Sequence, residues 1–179
     1  FAEGPILKGK GSWILSYRVS FLDIVADLVG SAIGLDAIPK YKNYQGKITY
    51  DITKNHTLII NGIGGDEKIT IEDEDTGYSR GADNVRTKSN QYAVGATLNS
   101  RFGTIGMSNL TVSQTSNYWD DYIYDDNNKP YHIGKTTEIE RALKYDVTLL
   151  PVKRFEWNFG AVVKQITYDN DEWVRADTI

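Results

Sequence analysis

Two features that would point to particular chemistry are absent from this chain of 179 residues. It contains no cysteine, which excludes disulfides, thiol catalysis and cysteine-ligated metal sites. No segment approaches the roughly 20 consecutive apolar residues of a membrane helix, whereas a membrane β-strand needs only about 9–11 alternating residues. The net charge of −4 gives no reason to expect a nucleic-acid partner.

Aromatic residues are abundant by contrast, with 12 tyrosines and 4 tryptophans beside 16 glycines. Aromatic side chains suit the pleated surface of a β-sheet and concentrate at the boundary between lipid and water. A content of 40% hydrophobic and 25% charged residues is ordinary for a folded chain. The composition therefore predicts a folded, strand-rich protein.

The segment from Ser12 to Phe21 alternates in polarity with the period of a β-strand. Its odd positions from Trp13 onward are apolar or aromatic, and its even positions are mostly serine, with Ile14 and Arg18. One face is thus apolar and the other small, polar and cationic. The apolar face meets a core in a soluble sheet and lipid in a transmembrane barrel.

Similar alternation predicts six further strands. They cover Tyr41–Ile52, His56–Ile63, Asn90–Phe102, Ser108–Tyr118, Glu138–Leu149 and a last strand that begins at Phe155. The segment Leu22–Ile38 has a helical spacing of apolar residues instead, and we expect a short helix or compact turn there.

The breaks between strands alternate between short and long. Residues 53–55, 103–106 and 151–154 are short breaks, whereas 22–40, 64–88 and 119–137 are long ones. In an antiparallel meander, all short turns then lie at one end and all long loops at the other, as in outer-membrane barrels. We therefore expect an all-β, antiparallel up-and-down meander of about seven strands, part of a larger transmembrane β-barrel.

Several strings in the first third of the chain carry a family resemblance. They are Glu3-Gly4-Pro5-Ile6, Lys8-Gly9-Lys10-Gly11-Ser12-Trp13, Ser16–Asp23, Ala37–Tyr41, Gln45–Asp51 and Asn55–Leu58. Over residues 3–66 the chain resembles TonB-dependent outer-membrane receptors. The resemblance implies a non-enzymatic protein of the bacterial outer membrane, in contact with its lipid. It also implies import of a scarce nutrient (an iron chelate, a cobalamin or an oligosaccharide) with energy from the inner-membrane TonB protein.

Such receptors hold an N-terminal plug inside a barrel of about 22 strands. This sequence shows about seven strands, no plug that could contact TonB, and no aromatic residue at its last position. We therefore expect residues 1–179 to form a single partial barrel domain, an internal segment of a larger receptor.

Two groups of residues are candidates for ligand binding. Arg18, Lys47 and Arg101 lie on the predicted polar faces, which would line the lumen. A second group, predicted to lie at the start of a long loop, interleaves aromatic rings with carboxylates: Tyr118, Trp119, Asp120, Asp121, Tyr122 and Tyr124. Such a mixture suits stacking on sugar rings or holding a cationic or metal-chelating ligand, although an extracellular loop with an aromatic interface belt is the better interpretation.

No catalytic residue, cofactor or metal site is predicted. His56 and His132 lack a third ligand at suitable spacing. The acidic run Glu72–Asp75 lacks the ligand spacing and glycine of an EF-hand, so a solvated loop is the better interpretation than a calcium site.

A soluble lipocalin-like protein and a carbohydrate-binding β-sandwich are the alternatives. Gly11-Ser12-Trp13 matches the Gly-x-Trp opening of lipocalins, whose apolar faces line a ligand cup. The side chains that separate these alternatives should be exposed on one face in a membrane barrel and converge on an interior in a soluble fold. They are Trp13, Leu15, Tyr50, Leu143, Tyr145, Trp157 and Phe159.

Overall fold

The described residues of the protein form one all-β sheet of eight antiparallel strands arranged in chain order. The computed structural model describes residues 1–7, 9–20, 39–71, 84–125, 129–152 and 155–176. The strands are β1 (Ala2–Ile6), β2 (Gly11–Val19), β3 (Lys40–Thr53), β4 (His56–Ile71), β5 (Asn84–Arg101), β6 (Gly106–Tyr124), β7 (Pro130–Val152) and β8 (Phe155–Val174). The predicted all-β antiparallel meander is confirmed.

The sheet is a single open layer. In the part of the chain that the structure describes, β1 pairs only with β2 and β8 only with β7, so this sheet does not close on itself. Every side chain of β8 is exposed. Among the described residues, the largest side chain that is fully buried is a serine, Ser116, so these residues enclose no hydrophobic core.

Connections at the two ends of the sheet differ in length. The strands are separated by residues 7–10, 54–55, 102–105 and 153–154 at one end of the sheet, and by residues 20–39, 72–83 and 125–129 at the other end. Gly103, with φ of 63°, supplies the left-handed backbone of the 102–105 turn, where Phe102 N donates to Gly106 O at 2.8 Å. The predicted alternation of short and long connections is therefore present, although the last long connection covers only residues 125–129.

The predicted strand boundaries were too conservative. The strings predicted as long polar loops at 64–88 and 119–137 belong mostly to β4, β5, β6 and β7. β1 was not predicted, because Gly4 and Pro5 are strand breakers. Pro5 is tolerated there since β1 is an edge strand, where a missing N–H costs the sheet little. The sheet thus has eight strands rather than about seven.

Two predictions lie outside the described residues: the short helix or compact turn at Leu22–Ile38, and the acidic run Glu72–Asp75. Within the described ranges, no helix is long and apolar enough to cross a membrane.

Candidate functional site

One face of the sheet carries a continuous ladder of apolar side chains. We call it the apolar face; on β2 it carries Trp13, Leu15, Tyr17 and Val19. Its central row runs across β2 to β8 through directly paired residues, namely Trp13, Ile48, Ile60, Ala96, Val112, Leu143 and Val163. Direct partners across strands point to the same face, so register alone builds this apolar row.

No other described strand packs on the apolar face. Of the seven side chains that separate a membrane barrel from a soluble fold, Phe159 is 58% exposed and Leu15 55%, and Trp157, Leu143 and Tyr145 are also exposed. Trp13 and Tyr50 are half-buried beside their strand neighbours. All seven lie on the same face and none reaches an interior.

The apolar residues form a belt that crosses the strands obliquely. On β2 the belt lies from Trp13 toward the end of the sheet with the longer connections. On β8 it lies from Val163 toward the short turns, through Ala161, Phe159 and Trp157. Val19 is the belt residue of β2 that lies nearest the longer connections, and the row that contains it reaches β8 at Asp169. On β8 the belt already ends at Val163, which lies nearer the short turns than Asp169.

That displacement gives the tilt of the strands relative to the belt. From Val163 to Asp169 is about 20 Å along β8, and β2 to β8 spans about 29 Å across the sheet. The belt therefore makes an angle of about 35° with the perpendicular to the strands, which matches the roughly 35–45° tilt of strands in membrane barrels. If the strands are tilted in a membrane, an apolar belt that runs parallel to the membrane plane produces this displacement.

Tyrosines and polar groups border the belt on the side of the longer connections. The rings of Tyr92 and Tyr118 lie 6.4 Å apart, and farther along β6 those of Tyr122 and Tyr124 lie 6.3 Å apart. Arg141, which interrupts the apolar pattern of β7 between Ile139 and Leu143, donates from Nε to Gln114 Oε1 at 3.0 Å. Gln114 in turn donates to the Tyr92 hydroxyl at 3.0 Å.

The opposite face, which we call the polar face, carries small and hydrogen-bonding side chains. Neighbouring strands bond across it: Thr97 with Thr111 (2.9 Å), Asn99 with Asn109 (2.8 Å), Thr57 with Asp51 (2.7 Å) and Thr148 with Asn158 (2.7 Å). Two ion pairs lie there as well, Lys164–Glu140 at 2.9 Å and Lys144–Asp146 at 2.8 Å. This face satisfies many of its polar groups internally and suits contact with water.

The three cationic candidates lie on the polar face but in separate rows. Arg18 is opposite Asn43, Lys47 is opposite Asn61, and Arg101 is opposite Met107 at the turn end of β5. Along β2, the rows of Arg18 and Lys47 are about 13 Å apart. These residues therefore share a face without forming one compact site.

The second candidate group is on a strand, as predicted for Tyr118, whereas the prediction of a loop from Trp119 onward was wrong. β6 continues to Tyr124 because every residue of its outer half pairs with β5 and β7. Alternation then divides the group between the faces: Trp119 and Asp121 lie on the polar face, and Tyr118, Asp120, Tyr122 and Tyr124 on the apolar face. The Arg86 guanidinium lies 5.0 Å from the centroid of the Tyr124 ring.

Neither histidine belongs to a metal site in the described ranges, where no group of three potential ligands occurs. His56 Nδ1 lies 2.9 Å from Ser100 Oγ, and His132 Nδ1 lies 3.7 Å from Glu172 Oε1. Both histidines are accounted for by these local contacts.

Comparison with protein-family models, with curated proteins and with solved structures finds no match to this chain. The two faces and their geometry are therefore the basis on which a function can be argued.

Proposed function

We propose that this chain forms part of the wall of a TonB-dependent transporter in the bacterial outer membrane. The observation that carries the proposal is the oblique apolar belt. An exposed apolar face of this extent is unfavourable in water, and its inclination of about 35° is the one expected for strands tilted through a bilayer.

The polar face supports the same proposal from the other side of the sheet. In a barrel it would line the lumen, where its Asn, Thr and charged side chains contact water. Arg18, Lys47 and Arg101, together with Trp119 and Asp121, would be available there to a ligand. The ligand classes are an iron chelate, a cobalamin or an oligosaccharide, and no covalent chemistry is involved.

The open edges of the sheet fit a wall that continues beyond these strands. Along β8, backbone groups on one side have no strand partner in the described part of the chain. Exposed edges of this length invite pairing with further strands. We propose that additional strands, a plug and the TonB contact belong to the same transporter.

A soluble lipocalin-like or β-sandwich ligand-binding protein is the alternative. Both folds need the apolar face to be enclosed by the same sheet or by a second one. The described residues supply neither, so the transporter is the better-supported proposal.

Membrane fractionation combined with uptake tests the proposal. The protein, as the cell makes it, should remain in the outer-membrane fraction after washing with alkaline carbonate. Cells that contain it should import at least one of three labelled probes (a ferric chelate, cobalamin or an oligosaccharide), and an uncoupler should stop the import. Recovery as a soluble monomer without detergent would contradict membrane insertion. Recovery of the protein in the membrane fraction, together with import that continues after the uncoupler is added, would contradict TonB-driven transport.

A further inference from the structure

A cluster of four lysines lies on the apolar face immediately beyond the belt. Lys40, Lys68 and Lys88 occupy one row on three consecutive strands and pair directly across them. Lys42 lies one position nearer the belt on the same face of β3. We call these four residues the lysine cluster.

Without a bound anion, this arrangement of lysines destabilises the sheet. Directly opposite residues have Cβ atoms about 4.5–5.5 Å apart, and like charges at that separation repel. Lys42, Lys68 and Lys88 form no ion pair with any residue that the structure describes. Asp66 lies directly opposite Lys42, and Asp120 lies directly opposite Lys88. Asp66 also accepts a hydrogen bond from Asn90, and Lys68 has a lysine directly opposite it on each neighbouring strand.

The lysines also border a cavity. Its volume is about 630 Å³, and Val19 and Tyr118 contribute to its walls together with all four lysines. A volume of this size is in the range that holds a small ligand or headgroup, about 300–1,000 Å³. Asp66, Glu67 and Asp120 also line the cavity, so it combines four lysines and three carboxylates with apolar and aromatic walls.

The position of the lysine cluster relative to the belt indicates which kind of anion the cluster would bind. On β3 the belt ends at Tyr44, and Lys42 and Lys40 are the next two residues on that face. They lie about 7 and 14 Å farther along the strand, which is the depth of lipid headgroups if the belt spans the hydrocarbon. Long lysine stems can also lie along apolar surface while the ammonium groups remain in the polar layer.

We propose that the lysine cluster is a binding site for the phosphate groups of a membrane-lipid headgroup, with the lipid tails against the belt. This proposal rests on the proposed function, because it needs the apolar face to meet lipid. Charge complementarity supplies the affinity: the phosphate bridges lysines that otherwise repel one another across β3, β4 and β5.

The test measures binding of phosphatidic acid, which ends in a phosphate monoester, to the protein as the cell makes it in neutral detergent micelles. Lys68→Gln with Lys88→Gln should weaken binding about 30-fold, since each lysine near an anionic surface contributes roughly fivefold. Lys68→Arg with Lys88→Arg keeps the charge and should bind like the wild type. The matched control, Lys144→Gln with Lys164→Gln on the polar face, removes the same charge and should change binding less than twofold.

Thermal stability gives a second readout that a folding defect would not mimic. Without anionic lipid, the double glutamine variant should unfold at a higher temperature than the wild type, because the repulsion has been removed. Phosphatidic acid should raise the unfolding temperature of the wild type more than that of the variant at the same lipid concentration.

Each contrary outcome has a distinct meaning. Equal binding by the wild type and the double glutamine variant overturns the site. Equal affinity for inorganic phosphate and phosphatidic acid assigns the anion to a soluble source and overturns the lipid proposal. In both cases the proposed function is still supported if the protein fractionates with the outer membrane. Recovery of the protein in the soluble fraction contradicts the proposed function itself.

Discussion

Two neighbouring rows of the β5–β6 hairpin show how differently the two faces of this sheet are stabilised. On the polar face, Asn99 donates to Asn109 at 2.8 Å, so the side chains of this row form a hydrogen bond with each other. On the apolar face, Leu98 and Leu110 are paired directly, yet Leu110 remains 40% exposed. The polar face thus needs only water beside it, whereas the apolar face depends on the medium or partner that covers it.

The largest expected effect comes from placing a charge on the apolar face at mid-belt. Val112→Lys should cost about 2–4 kcal/mol of folding free energy in lipid vesicles, the cost of a lysine at the bilayer midplane. The matched control is Ser113→Lys on the polar face, opposite Gly95 and Ala142, which should cost less than about 0.5 kcal/mol. Urea titration followed by tryptophan fluorescence measures both, and equal losses would contradict the assignment of the faces.

A smaller effect is expected where the apolar face packs against itself. A Cβ at Gly64 would lie 2.7 Å from Cζ of the Tyr44 ring, so Gly64→Ala should displace the ring and cost about 1 kcal/mol. At Gly62 the nearest atom, Ala93 O, is 3.6 Å away, so Gly62→Ala should stabilise by about 0.5–1 kcal/mol. The same titration checks both, and a stabilising Gly64→Ala would show that Tyr44 does not cover this glycine.

On the polar face, a double-mutant cycle should isolate the Asn99–Asn109 bond. Truncating each to alanine, singly and together, should give a coupling of about 1 kcal/mol, the usual net value of such a bond. Asn99 with Asn43, which lies in another row, is the uncoupled control. A coupling of zero for both pairs would mean that water replaces the direct bond.

The smallest effect is expected from the Lys164–Glu140 ion pair. Its side chains are 49% and 30% exposed, so Lys164→Gln should cost less than about 1 kcal/mol. This cost should vanish in 1 M salt, where charges are screened, whereas the Asn99–Asn109 coupling should persist. Stability measured across a salt series separates the two, and a salt-independent loss would indicate that Lys164 acts through packing.

The sequence predicted the fold best where one face is apolar. In β7 from Glu138 to Leu149 and in β2, the contrast between faces marks the strand clearly. The outer halves of β4, β5 and β6 were missed because polar residues are mixed with apolar or aromatic ones on the faces of the sheet there, and the alternation loses its contrast. Hydrogen bonding to two neighbouring strands keeps those segments extended, and single-sequence patterns do not record such pairing.

The candidate site was predictable only in part. The polar-face position of Arg18, Lys47 and Arg101 followed from alternation. The division of Trp119 and Asp120 between opposite faces required the strand to be recognised first. The oblique belt and the lysine row depend on register, which links residues on different strands, so neither could be derived from local patterns.

The most direct measurement places nitroxide spin labels along β7 in membranes. Because the chain has no cysteine, single cysteines from 142 to 149 can be labelled in it without background. Labels at 143, 145, 147 and 149 should be reached by oxygen dissolved in lipid and shielded from a water-soluble nickel chelate, with the reverse at 142, 144, 146 and 148. Free access of the nickel chelate to all eight positions, or shielding of all eight, would contradict a sheet that separates lipid from water.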